Sequence, residues 1–249
     1  PAFLKHLLDA SDRGASDLTV AGKLFCDRFP PDKIPALPTC GIFLRREFPL
    51  KNNLEFPEGI HPCEDGLFSH FVLALTEKIS FCPEAVYHYR QHEQGNHHQI
   101  RKRTADILPM IPRWLSLIEE FYEQRHLWKR KAGHLVRFIE HEPFELRLLG
   151  MPFSPPEQEI LYSIIRDFLN AHCTAAECRR ASLHLPFRLL LKSSGFSDFG
   201  RRLRRAGKNT GIRRKLLHFC PVPSWRRNGR AQLRQVREQL EEIRRNITF

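Results

Sequence analysis

Two adjacent acidic residues, Glu64 and Asp65, are side chains that could do chemistry. They follow a Pro-Cys pair and precede apolar residues at helical spacing, namely Phe68, Phe71, Val72 and Leu75. This spacing predicts a core helix over about 64–77 with both carboxylates in its first turn. Acidic residues there can simply complement the helix dipole, an effect of roughly 0.3–1 kcal/mol. The alternative is a carboxylate held at the mouth of a site, where it could accept a proton as a general base.

A polar segment after Arg90 holds the second group of candidates, the three histidines His92, His97 and His98. Neutral imidazole binds metals and protonated imidazole pairs with anions. The planar guanidinium of Arg90 is suited to phosphate. We therefore predict a phosphate contact at Arg90, with the three histidines as secondary candidates. The alternative is a solvated, histidine-rich loop.

These candidates belong to a longer pattern between residues 56 and 90. It consists of Phe-Pro-Glu-Gly at 56–59, Glu-Asp at 64–65, Lys-Ile-Ser at 78–80 and Pro-Glu-Ala-Val-Tyr-His-Tyr-Arg at 83–90. The order and spacing of the pieces resemble the acceptor half of family 2 glycosyltransferases, which are nucleotide-sugar-dependent enzymes with a GT-A fold. The resemblance covers some 35 residues, and it rests on the order of the pieces because no single piece is specific.

The resemblance implies transfer of a sugar, with inversion, from a nucleotide-sugar donor to a hydroxyl of a saccharide or lipid-linked acceptor. Such reactions serve the synthesis of cell-surface polysaccharides and glycolipids. Asp65 matches the position of the family's general base, and Glu64 would shape the pocket or bind the acceptor. Arg90, with His92, His97 and His98, would lie at the donor diphosphate.

The resemblance also implies a divalent metal ion, Mg²⁺ or Mn²⁺, bound mainly by an Asp-x-Asp motif. In the family this motif comes shortly before a helix like the one that starts at Pro1. We therefore expect the metal ligands and the nucleotide-binding half upstream of Pro1, and we expect residues 1–249 to be inactive without them.

The elements around the acidic pair predict an α/β fold. An apolar stripe at the start of the chain predicts a helix that ends near Gly14, and residues 17–21 read as a short buried strand. A helix followed by a strand is half of an α/β repeat. Four prolines within 29–38 exclude a helix there and predict a surface loop. After this loop, 39–48 resembles the family segment in which a turn leads to a strand and a helix start.

We therefore predict a partial GT-A sheet, of the nucleotide-diphospho-sugar transferase type, over residues 1–100, followed by a mainly helical C-terminal region. Helices are predicted from about 112 to 125, 128 to 140 and 156 to 173, with a linker at 151–156. The segment 101–198 is interpreted as a helical packing and partner module, because it contains no clustered acid, base and nucleophile.

The excess positive charge lies at the C-terminal end. Residues 199–249 contain 15 Lys and Arg against three Glu, whereas basic and acidic residues balance over 1–198. We predict a basic tail that ends in an amphipathic helix, whose apolar residues Leu233, Val236, Leu240, Ile243 and Ile247 recur in steps of three and four.

Basic clusters interleaved with Leu, Phe and Trp over 199–225 can lie on an anionic membrane surface or coat nucleic acid. A third possibility is an unstructured, solvated tail. The membrane is favoured because no signature of a nucleic-acid-binding fold is present, and it places the protein on the cytoplasmic face as a peripheral protein. A nucleic-acid-binding or noncatalytic interaction module remains the alternative function.

Seven scattered cysteines, without a Cys-x-x-Cys pair, suit a reducing compartment. Cys173 and Cys178 lie near His172 and His184, but their spacing fits no common structural zinc site. No apolar run in the sequence approaches the roughly 20 residues of a membrane span.

Overall fold

The structure is a computed structural model that describes residues 2–30, 33–88, 100, 103–216, 234 and 238. It divides into two compact units, residues 1–142 and 143–249. The boundaries predicted at residues 100 and 198 stay predictions, and the two units are described separately below.

The first unit is an α/β structure around a small mixed sheet. Its strands are β1 (Leu18–Ala21), β2 (Ile42–Leu44) and β3 (Ile79–Cys82), in the order β2-β1-β3. Strand β1 pairs antiparallel with β2, with Leu18 opposite Leu44, and parallel with β3, with Leu18 opposite Ile79. All strands of the described chain precede residue 83, which confirms the prediction of an α/β region followed by a mainly helical one.

The first unit also contains helices, of which the first two contact the sheet. They are α1 (Ala2–Arg13), α2 (Lys23–Arg28), α3 (Glu47–Lys51), α4 (Glu64–Leu75), α5 (Thr104–Ile107), α6 (Met110–Gln124) and α7 (Trp128–Ile139), with a 3-10 turn at Thr39–Gly41. The predicted helix at 112–125 begins two residues earlier than expected, since Pro112 fits within its first turn.

Helix α4 is the central helix of the first unit. Residues 66–74 are all buried, and the helix packs against α6 and α7 as well as against the core beside the sheet. Phe68, Val72 and Leu73 join Leu18 and Val20 of β1 in that core. Ile34 and Leu37 lie in the same core, so the prediction of a surface position for the proline-containing loop is wrong. The apolar surface is continuous around the helix because α4 has neighbours on more than one side.

The end of α4 is fixed by Thr76, where the chain becomes extended. The Thr76 hydroxyl donates to Asp17 Oδ2 at 2.7 Å, and its oxygen accepts the Lys78 N–H at 3.0 Å. The predicted helix over 64–77 is therefore confirmed, with its last turn shortened by a side chain that bonds to the start of β1.

Helices are the regular elements of the described part of the second unit. A π-helix spans Glu140–Leu149 at the junction of the units, and α8 (Pro155–His172), α9 (Ala175–Ala181), α10 (Leu185–Leu191) and α11 (Phe196–Leu216) follow. The helix at 140–149 was not predicted, because Pro143 reads as a helix breaker. The predicted helix 156–173 is confirmed as α8.

The second unit's core is aromatic. The ring of Phe144 lies 5.1 Å from that of Phe187 and 6.1 Å from that of Phe199, and Tyr162 lies 5.9 Å from Phe199. Phe199 and Leu203 of α11 are buried, so the first part of the predicted tail is an ordered helix of this unit. An unstructured tail is therefore wrong for residues 199–209. The predicted terminal amphipathic helix lies outside the described residues apart from 234 and 238.

No helix within the described ranges combines the length and the apolar character that crossing a membrane requires.

Candidate functional site

The structure places both predicted carboxylates, Glu64 and Asp65, in the first turn of α4. The chain reaches this turn through a cis peptide bond between His61 and Pro62. Cys63 then adopts the left-handed conformation, with φ of 88°. A non-glycine residue rarely takes this conformation, and such residues concentrate at functional sites.

A third carboxylate, Glu142, lies beside the same turn. A Cβ placed on Gly66 would lie 3.0 Å from Glu142 Oε1 and 3.0 Å from Cys63 Sγ. The absence of a side chain on Gly66 therefore allows the buried Glu142 carboxylate to approach the start of α4. The sequence analysis did not select Glu142, because it is 77 residues from Asp65. It also lies in the helix Glu140–Leu149, which was not predicted because Pro143 is a local signal against a helix.

Asp65 is partly buried, and one of its oxygens has a fixed partner. The Gly66 N–H donates to Asp65 Oδ1 at 2.8 Å. Burial and the negative charge of Glu142, with a smaller contribution from Glu64, nevertheless raise the pKa of Asp65 above its ordinary value of 3.8. Desolvation and like charge both disfavour the ionised form.

This direction is opposite to the one that the helix dipole alone would give. The dipole and the Gly66 hydrogen bond favour the ionised form, yet burial and Glu142 outweigh them. A carboxylate placed only to stabilise the helix would have a lowered pKa. A raised pKa brings Asp65 nearer to neutral pH, where a general base is more effective.

Glu64 lies on the more open side of the turn. Its Oε2 is 3.4 Å from His61 Nδ1, and both side chains are more than one-third exposed. The Glu64 side chain is thus partly open to solvent, although its Oε2 atom is itself buried, and Asp65 beside it is partly buried.

Two histidines that the sequence analysis did not select lie further along the same helix bundle. The rings of His70 in α4 and His134 in α7 stack with centroids 4.2 Å apart. His70 Nδ1 is 3.2 Å from the Pro35 carbonyl, and His70 Nε2 is 3.1 Å from the Tyr122 hydroxyl. The sequence does indicate that His70 is buried, because this polar residue interrupts the apolar run at a position that helical spacing places in the core.

The predicted diphosphate ligands, Arg90, His92, His97 and His98, lie outside the described residues. Within the described part of the chain, no group of three or more His, Cys, Asp or Glu side chains is arranged to hold a metal ion. The Mg²⁺ or Mn²⁺ ion implied by the resemblance therefore stays a prediction.

Comparison of the chain with models of protein families, with curated proteins and with solved structures gives no match. The resemblance over residues 56–90 is thus an expectation from the motifs themselves, and the geometry around α4 must support any function independently.

Proposed function

We propose that the chain contributes the acceptor half of a nucleotide-sugar-dependent glycosyltransferase with a GT-A fold. The observation that carries the proposal is the first turn of α4, where Asp65 is partly buried and has a raised pKa beside Glu142. The α/β sheet with its parallel β1–β3 pair supports the GT-A assignment.

In the proposed reaction, an acceptor hydroxyl attacks the anomeric carbon of the donor sugar. The bond between that carbon and the diphosphate breaks, and Asp65 takes the proton of the hydroxyl as the new bond forms. A hydroxyl is a poor nucleophile at neutral pH, and a positioned base contributes roughly 10²–10⁴-fold to the rate. The hydrogen bond from Gly66 orients the carboxylate, and Glu64 binds the acceptor at the exposed side of the site.

Charge on the departing diphosphate is neutralised by Arg90, with His92, His97 and His98, in this proposal. A divalent Mg²⁺ or Mn²⁺ ion, when bound, supplies further electrostatic stabilisation to the diphosphate. The described residues provide no group that fits such an ion, so no step above depends on it.

The test is a screen of the full-length protein against nucleotide-sugars for release of the nucleoside diphosphate, with binding measured in parallel. We expect at least one donor to bind and to release its diphosphate faster when a saccharide or lipid-linked acceptor is present. If no nucleotide-sugar binds at millimolar concentration, the proposal is wrong.

We also propose that helix α11 brings the enzyme to an anionic membrane surface at the cytoplasmic face. The supporting observation is the row of exposed basic side chains beside the buried Phe199 and Leu203, which comprises Arg201, Arg202, Arg204, Arg205 and Lys208. Two of them pair with Asp198, at 3.2 Å for Arg201 and 2.7 Å for Arg202. Those pairs lower the pKa of Asp198 to about 2.

The membrane test uses co-sedimentation with vesicles of neutral lipid and of neutral lipid mixed with an anionic phospholipid, at low salt. We expect binding to the anionic vesicles only, and less of it after charge reversal at Arg204 and Arg205. Equal binding to both vesicles would contradict the proposal. Binding to unrelated RNA and DNA with a steep salt dependence, and not to vesicles, would favour the nucleic-acid alternative.

A further inference from the structure

The stack formed by His70 and His134 lies in the interior of the first unit, where histidine rings have little access to water. His70 is 0% exposed and His134 is 8% exposed. The two rings are nearly parallel, with an interplanar angle of 12°, and the ring centroid of Phe138 lies 4.4 Å from that of His70. The stack joins α4, which carries the candidate site at its start, to α7.

The hydrogen bonds define the protonation state of His70. The Pro35 carbonyl can only accept, so Nδ1 carries a proton and donates to it. Nε2 is then the acceptor for the Tyr122 hydroxyl of α6. A neutral His70 therefore satisfies both ring nitrogens and connects α4 to α6 and to the loop before β2.

His134 of α7 adds a hydrogen bond to the backbone of α4. Its Nε2 donates to the backbone carbonyl of His70 at 3.1 Å. The charged groups that act on His134 are Lys131 and Arg137 of its own helix, and both are cationic. The groups that face the stack from elsewhere are the Tyr122 hydroxyl and the carbonyls of Pro35 and Ile34.

Among the described residues, the charged groups that act on these rings oppose their protonation, whereas the hydrogen bonds to the Pro35, His70 and Ile34 carbonyls favour it. Burial, with the neighbouring ring as a second cause, lowers the pKa of His70 well below the ordinary 6.5. Burial lowers the pKa of His134 to about 4, with Arg137 and Lys131 adding to the effect. A proton on His70 Nε2 would also force the Tyr122 hydroxyl to change from donor to acceptor.

We infer that the His70–His134 stack is an acid-sensitive contact that holds α4 against α6 and α7 while both rings are neutral. When the rings are protonated, the contact opens and α4 is released, with Glu64 and Asp65 at its start. The inference does not depend on the proposed glycosyltransferase activity, because it rests on the stack and its hydrogen bonds alone.

The sign of the effect follows from the direction of both shifts. The unfolded chain binds protons at the ordinary histidine pKa of 6.5, whereas the folded rings resist protonation. The stability contributed by the stack is thus complete above pH 6.5 and is lost as the pH falls towards 4. With two such rings, the unfolding equilibrium constant of the first unit rises by up to about 100-fold per pH unit in this window.

The experiment is amide hydrogen exchange of the full chain between about pH 7.5 and 4.5, with rates corrected for the intrinsic effect of pH. We expect residues 66–75, 110–124 and 128–139 to lose protection together as the pH falls below 6.5, while α8 stays protected. Loss of protection in α8 at the same pH or earlier would show general acid denaturation and overturn the inference.

A matched pair of variants isolates the stack. His134→Phe keeps an aromatic ring against His70 and removes one titrating group, so the pH dependence should fall from up to about 100-fold to about 10-fold per pH unit. His6→Gln removes an exposed histidine of α1 and should leave the dependence unchanged.

Proton NMR of the histidine rings keeps the test valid if His134→Phe fails to fold. Two ring resonances of the wild type should not titrate in the native state above pH 5. Native-state titration of all histidines near 6.5, or equal pH dependence in wild type and His134→Phe, would contradict the inference.

Discussion

Acidic residues open helices in both units, but they act differently in each. In the second unit, α8 begins after Ser154 and α9 after Thr174, and the glutamates three positions later bond back to those residues. Glu157 Oε2 accepts the Ser154 backbone N–H at 2.7 Å and its hydroxyl at 2.6 Å. Glu177 Oε2 accepts the same two groups of Thr174, at 2.8 and 2.7 Å. These hydrogen bonds lower the pKa of both glutamates.

Helix α4 of the first unit begins in another way. Its N-cap, Cys63, is in the left-handed conformation, and no side-chain cap hydrogen bond forms there among the described residues. The pKa of Asp65 is raised by burial and by Glu142. Glu157 and Glu177 are thus placed to stabilise the start of a helix in their ionised form. The surroundings of Asp65 instead disfavour its ionised form. This difference favours the interpretation of Asp65 as a site residue over that of a simple helix start.

The largest expected effect is at Asp65. Asp65→Asn should lower turnover in the full-length protein by about 10²–10⁴-fold, because the amide cannot accept the acceptor's proton. Donor binding should change little. Stability at neutral pH should be equal or higher, because a group with a raised pKa contributes stability that is lost as the pH rises. The measurements are steady-state turnover, donor affinity and the urea midpoint.

Glu64→Gln should lower turnover less than Asp65→Asn, since Glu64 lies at the exposed side of the site. Asp27→Asn, which neutralises an exposed aspartate of α2, is the matched control and should leave turnover unchanged. Turnover of Asp65→Asn within about threefold of the wild type would show that the acidic pair only starts a helix.

The contrast between the units extends to the buried tyrosines. Tyr122→Phe removes the hydroxyl that donates to His70 Nε2 and leaves a buried acceptor without this partner, which costs about 1–3 kcal/mol. Tyr162→Phe removes a 2.7 Å contact with Ser193 Oγ in the second unit. It should cost only about 0.5–1.5 kcal/mol, because the Ser193 hydroxyl still donates to the Leu190 carbonyl.

Urea unfolding of both tyrosine variants, followed by hydrogen exchange in each unit, measures this difference. The Tyr122→Phe effect should shrink at low pH, since the lost hydroxyl stabilised only neutral His70 and the folded variant therefore resists protonation less than the wild type. The Tyr162→Phe effect should not change, because within the described part of the second unit no His, Asp or Glu is buried. A larger loss of unfolding free energy for Tyr162→Phe than for Tyr122→Phe would contradict this prediction.

A smaller effect is expected at the start of α9. Thr174→Ala removes the hydroxyl that accepts the Glu177 N–H at 3.2 Å and donates to Glu177 Oε2, and it should cost about 1 kcal/mol. Ser116→Ala within α6 is the control, because among the described residues this exposed hydroxyl donates to a carbonyl of its own helix, that of Pro112. Thermal unfolding should separate the two variants, and equal losses would argue against the capping role.

The sequence predicted what depends on local spacing. The bounds of α4 and β1 follow from apolar spacing and from the residues that stop each element, so they were close to the observed ones. The π-helix at Glu140–Leu149 was missed, because Pro143 is a local signal against a helix and tertiary packing overrides it. Glu142 was missed for the same reason, and with it the cause of the raised pKa of Asp65.

The buried histidines show a different limit. Helical spacing places His70 in the core, but its partners Pro35, Tyr122 and His134 come from three separate segments. Only the packed helices bring these groups together. The pKa of a side chain depends on such neighbours, so its direction could not be read from the sequence.

The smallest expected effect concerns the glutamate at the start of α8, and it tests the comparison through pH. Glu157 has a lowered pKa because Ser154 bonds to its ionised form, so its contribution is present above the ordinary value of 4.5 and is lost as the pH falls below it. Glu157→Ala should therefore weaken α8 by roughly 0.3–1 kcal/mol at neutral pH. The difference from wild type should narrow as the pH falls below 4.5.

The measurement is hydrogen-exchange protection of residues 158–172. Glu159→Ala, which removes an exposed charge from the same helix outside the cap, is the control and should have less effect at either pH. Equal losses in the two variants, without pH dependence, would mean that the glutamates of the second unit do not stabilise helix starts, and the contrast with Asp65 would fail.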